Sequence, residues 1–83
     1  MKTSISFNEL RQILVGLGFH EIAQPEQIIF HHKPSDILFV FRPYRPGDAV
    51  AAYNLIEVKN MLDARGLMSA EVFEKQFNKK TSA

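Results

Sequence analysis

The sequence predicts an α+β fold in the order α-β-β-β-α with an added C-terminal helix, and three observations carry that prediction. The stretch Gln27 to Arg42 holds two β-branched and aromatic runs on either side of Lys33-Pro34-Ser35-Asp36, residues that turn a chain and do not continue a strand. Two apolar patterns of helical spacing are each closed by a glycine and an apolar residue, Gly18-Phe19 and Gly66-Leu67. Finally, 83 residues with 46% hydrophobic content suit one small core, with no repeat, low-complexity tract or linker. Residues 1–83 are therefore expected to form a single domain, with its core over 6–67 and the added helix over 69–78.

Taken in order, Ser6-Phe7-Asn8-Glu9 has the spacing of a capping box, with the Ser6 hydroxyl and the Glu9 carboxylate each placed to satisfy the other's backbone N–H. Ile5 and Leu10 suit a hydrophobic staple, and Phe7, Leu10, Leu14 and Leu17 form one apolar stripe. His20 to Gln24 is expected as a short strand ending before Pro25, whose missing N–H suits an edge. The hairpin follows, with His32 opposite Ile37, Phe30 opposite Phe39 and Ile28 opposite Phe41 on one face. On the other face His31, Ile29 and Gln27 stand opposite Leu38, Val40 and Arg42. Pro43-Tyr44-Arg45-Pro46-Gly47-Asp48 must then leave the sheet. A second helix is predicted from about Ala49 or Asn54 to Arg65, with Ala51, Leu55, Val58 and Leu62 buried. Ser69 caps a third, in which Met68 and Phe73 suit a staple and Lys79 and Lys80 lie at the negative end of the helix dipole.

Both hairpin faces are apolar, whereas an antiparallel sheet with one wet face alternates apolar and polar residues. The Ile29, Leu38, Val40 face therefore needs cover. Two sources are open: the third helix, through Phe73 and Phe77, or association with a second copy or another protein. Those five residues are the candidate interface.

Composition narrows the function classes. The chain has no cysteine, which removes disulfides and thiolate metal sites, and nothing in it calls for an oxidising compartment. The start Met-Lys-Thr-Ser-Ile-Ser lacks the apolar core of a signal peptide and no run approaches a membrane span, so a cytoplasmic protein without membrane partners is the expectation. A formal net charge of +1 is short of the balance of a dedicated nucleic-acid binder.

Phe-Asn-Glu-Leu and Leu-Gly-Phe in the first helix and its exit, Phe30 in the strand, and Leu62 through Leu67 closing the second helix together resemble the HicA family over roughly Ser6 to Leu67. HicA proteins are small toxins of bacterial and archaeal toxin–antitoxin pairs. The resemblance implies a fold like the double-stranded-RNA-binding domain, a messenger-RNA-cleaving activity and an antitoxin partner that blocks it. Its signature is Gly-Ser-His at the start of the middle strand, and the matching triplet here is Pro25-Glu26-Gln27. A glutamine amide does not titrate near neutral pH, so it cannot move the proton that RNA cleavage requires. Glu26, next to it, points to the opposite face of a strand. The fold is carried over from the resemblance and the activity is not.

Gln27 and His31 remain as weak catalytic candidates on one strand face. His31 and His32 point to opposite faces and cannot share a metal, so no metal and no cofactor is expected. Arg42, Tyr44, Arg45 and Lys33 are the residues able to grip phosphate or stack on a base. The sequence thus leads to a HicA-like binding protein acting through protein contacts, as a homodimer or with an antitoxin-like partner. RNA binding or weak RNA cleavage is the alternative.

Overall fold

The structure, a computed structural model, describes the backbone of residues 5–81 and the side chains of residues 5–76. The expectations for Phe77, Lys79 and Lys80 concern side chains outside those described. The fold is α+β, with three helices and one three-stranded antiparallel sheet in the order α, β, β, β, α, α. Two compact units divide the chain, one made of Ser6–Ala49 and the other of Met1–Ile5 with Val50–Ala83.

In the Ser6–Ala49 unit, helix α1 spans Phe7–Gly16 and opens on the capping box: Glu9 N–H donates to Ser6 Oγ at 3.2 Å, and Ser6 N–H to Glu9 Oε1 at 3.0 Å. The two N–H groups that the box leaves over donate to the proline-rich loop, Phe7 N–H to Asp48 O at 2.8 Å and Asn8 N–H to Pro46 O at 2.9 Å. That loop is therefore tied to the helix start and is not a free crossing segment. At the other end Phe19 N–H bonds Leu14 O and Gly18 N–H bonds Val15 O, the paired bonds of a Schellman turn, with Gly18 at φ 103°. Leu17, expected in the buried stripe, caps the helix and is only half-buried.

Strands β1 (His20–Ala23), β2 (Ile28–His32) and β3 (Ile37–Phe41) pair in sequence order. The β2–β3 register joins Ile28 to Phe41, Phe30 to Phe39 and His32 to Ile37, as the hairpin sequence requires. The turn closes with Asp36 N–H on Lys33 O at 3.2 Å and Asp36 at φ 58°, a conformation that a short polar side chain adopts more readily than most. Ile28, Phe30, His32, Ile37, Phe39 and Phe41 are all buried on the inner face. Phe7 meets Phe30 and Phe41 edge-on at 6.1 and 5.9 Å, and Phe19 stacks on Phe39 at 5.5 Å, so α1 and its exit lie on that face.

In the other unit, helix α2 spans Ala52–Ala64 and α3 spans Ala70–Thr81. Leu55, Val58 and Leu62 are buried as predicted and Asn54 joins them, whereas Ala51, expected in the stripe, is the N-cap, without a side-chain cap of its own. Gly66, at φ 74°, ends α2 by the same two bonds as Gly18, Leu67 N–H to Leu62 O and Gly66 N–H to Asp63 O. Ser69 Oγ accepts from Val72 N–H at 3.2 Å and starts α3, which runs three residues past its expected end at 78. Lys59 Nζ and Glu74 Oε2 link the two helices at 2.9 Å, and Phe73 is fully buried.

Two substitutions at the C-terminal end of α1 and in its exit turn should act with opposite signs. A Cβ on Gly18 would stand 3.5 Å from the His32 ring, ordinary contact, so Gly18→Ala pays only for its left-handed backbone, about 1–2 kcal/mol. Gly16 is helical with nothing within 4 Å of an added Cβ, so Gly16→Ala should stabilise by roughly 0.5–1 kcal/mol. Urea midpoints of the two variants against the parent check both.

Candidate functional site

The outer face of the sheet follows from strand alternation. With the buried residues of β2 and β3 pointing inward, Ile29, His31, Leu38 and Val40 point outward, and pairing with β1 adds Ile22 opposite Ile29 and His20 opposite His31. Two rows cross the sheet: Ile22, Ile29, Val40 and His20, His31, Leu38. Leu38 is 55% exposed, Val40 49% and Ile22 41%, while Ile29 is half-buried between its neighbours. Three of the four outward aliphatic side chains are therefore exposed. Phe73, the other described member of the candidate interface, is itself buried, so its side chain is not part of an exposed surface. A wet face that should be polar is aliphatic across all three strands, the composition of a contact surface.

The polar end of this face is at the turn. His31 Nε2 and Asp36 Oδ1 share a hydrogen bond at 3.2 Å, and His20 is the cross-strand neighbour of His31. Gln27 does not join them: it lies in the β1–β2 turn, where its Nε2 donates to Gln24 Oε1 at 3.0 Å and its backbone exchanges hydrogen bonds with Gln24. Four residue steps along the chain separate it from His31, about 13 Å. His32 is accounted for by packing: its buried ring lies 5.0 Å from Phe19 and its Nδ1 is 2.6 Å from Ser35 Oγ.

The phosphate-gripping set does not assemble. Tyr44 is only 6% exposed, stacked on Phe7 at 5.2 Å and set edge-on to Phe41, so its ring belongs to the core and offers no platform for a base. The Arg42 guanidinium covers that ring at 4.5 Å. Arg45 N–H donates to Asp48 Oδ2 at 2.9 Å within the docked loop, its side chain exposed. Lys33 lies in the turn before β3 and Arg42 follows its end, so the length of the strand, about 17 Å, keeps them apart.

Among the described residues no group of three or more His, Asp or Glu side chains is placed to hold a metal ion. Nor is any described helix long and apolar enough to cross a membrane. No family model, curated protein or solved structure matches this chain. The outer face is therefore read from its own residues.

Sequence reasoning placed Ile29, Leu38 and Val40 together and missed His20, Ile22 and Asp36. The alternation His20, Ile22 was a legible signal once β1 was aligned with β2, whereas the reach of Asp36 back to His31 depends on the left-handed turn. Tyr44→Ala should cost about 3 kcal/mol or more, as large buried aromatics do, while Arg45→Ala should stay within ~0.5 kcal/mol. Chemical denaturation of the two variants decides whether Tyr44 is core or recognition surface.

Proposed function

We propose that this chain is a HicA-like binding module that has no ribonuclease chemistry and works by holding a partner protein against the outer face of its sheet. The observation that carries the reading is the outward row Ile22, Ile29, Val40, aliphatic in all three strands and extended by Leu38, with Ile22, Leu38 and Val40 exposed. A double-stranded-RNA-binding-domain-like arrangement is part of the same reading, supported by the element order and by α1 on the inner face. Three strands of about five residues present roughly 14 by 17 Å, about 240 Å². The footprint matches a single three-turn helix, about 10–12 Å across and 16 Å long. The occupant is accordingly an amphipathic helix of a second, antitoxin-like protein, laid apolar side down.

Against cleavage stands the placement of the residues. Gln27 occupies a turn, and His31 has Asp36 as partner but no second proton-transfer group from the catalytic candidates beside it. Purified chain incubated with mixed RNA should leave it intact, and turnover lost in His31→Ala would overturn the binding-only reading.

A photo-crosslinking residue at position 40, in the full chain expressed in its host, should trap a protein that the same residue at position 45 does not. That protein, purified, should bind the parent and lose at least about tenfold in affinity for Val40→Asp, a loss of one buried aliphatic contact. Circular dichroism of Val40→Asp should match the parent, because the side chain is already exposed. Equal binding of both forms, or no position-specific trapping, would reject the proposal.

A further inference from the structure

Strand β3 is an edge of the sheet: β2 takes one side, and among the described residues no strand or bridge pairs with the other. Its sequence, Ile37-Leu38-Phe39-Val40-Phe41, has none of the devices that keep an edge unpaired, neither a charge, nor a proline, nor a bulge. The opposite edge differs. β1 carries Glu21 and runs towards Pro25. An edge with exposed N–H and C=O groups and no such protection is a template for another strand.

From this we infer that two copies of the chain pair along β3, antiparallel and two-fold symmetric about Phe39. An edge that pairs antiparallel with itself is isologous by construction, so a second copy fits without any new surface. The register is chosen by the side chains. Centred on Phe39, Leu38 of each copy stands opposite Val40 of the other, so the two most exposed aliphatics of the strand cover one another twice. Sliding by two residues towards Leu38 puts Asp36 against Val40, and sliding the other way puts Arg42 against Leu38. Centring the pair between two residues would set inner-face side chains opposite outer-face ones. Only the Phe39-centred register sets both exposed aliphatics of the strand against an aliphatic.

Pairing in this way makes one six-stranded sheet whose outer rows run continuously across both copies, doubling the apolar face. It stands on the edge alone and does not require the partner protein proposed above. A five-residue edge is a small contact, so the association should depend on concentration.

The absence of cysteine makes the test direct. Leu38→Cys and Val40→Cys proteins are prepared separately, then oxidised alone and as a mixture, with products identified by peptide mass. In the inferred register positions 38 and 40 are directly opposed, about 4.5–5.5 Å apart at Cβ, within reach of a disulfide. Identical positions are diagonal, about 7–8 Å apart, so the mixture should cross-link at least about tenfold faster than either variant alone. Light scattering of the unsubstituted chain should show a mass rising from 9.5 kDa towards twice that value with concentration. A mass that stays monomeric, or a 38–38 or 40–40 disulfide forming as fast as 38–40, would overturn the pairing. Both measurements use the pure chain alone, so their failure leaves the partner-protein reading to be judged by its own cross-link.

Discussion

The arrangement of the Ser6–Ala49 unit depends on one ring. Phe7 sits at the first position of α1 and touches Phe30, Phe41 and Tyr44, so a single side chain joins the helix, the middle strand, the edge strand and the loop that leaves the sheet. Its backbone N–H is held at the same time by Asp48 O. A helix start normally leaves its N–H groups to water or to a capping side chain. Here the capping box and the loop carbonyls take them together, so the helix end is locked where its first aromatic must pack.

This concentration of aromatic burial has a consequence on the other side of the sheet. A sheet of three strands has two faces, and within the Ser6–Ala49 unit α1 lies on one of them. The inner face takes Phe7, Leu10, Leu14, Phe19 and Tyr44, and the outer face is left with its aliphatic side chains exposed. The strands nevertheless keep the composition of strands buried on both sides. That mismatch between composition and environment is the basis for reading the sheet as a surface completed by another polypeptide.

The same geometry divides the histidines between the two faces. Proton transfer needs two groups converging on one reacting atom, with a cleft to hold the substrate. The imidazoles of adjacent residues diverge, with His32 buried against Phe19 and His31 on the open face with Asp36. The aromatic that looked most suited to a base is packed beneath a guanidinium. The outer face combines apolar area at Ile22, Leu38 and Val40 with a polar end at His20, His31 and Asp36.

Much of this was settled by local sequence. The capping box at Ser6, the two glycine stops and the hairpin register are decided by neighbours within a few residues, through hydrogen bonds and a side-chain period that no distant contact overrides. The faces of the hairpin were legible for the same reason. Tertiary structure decided what those faces meet. Tyr44 and the proline-rich loop had the composition of an exposed recognition segment and became core and cap, because Phe7 offered a ring and α1 offered unsatisfied N–H groups that lie far away in sequence. The exposure of Leu38 and Val40 could not be read from their identity, since an apolar strand residue is equally suited to burial by its own chain or by another. Period and capping are local properties of a chain, whereas burial depends on how much surface the whole chain has available to cover.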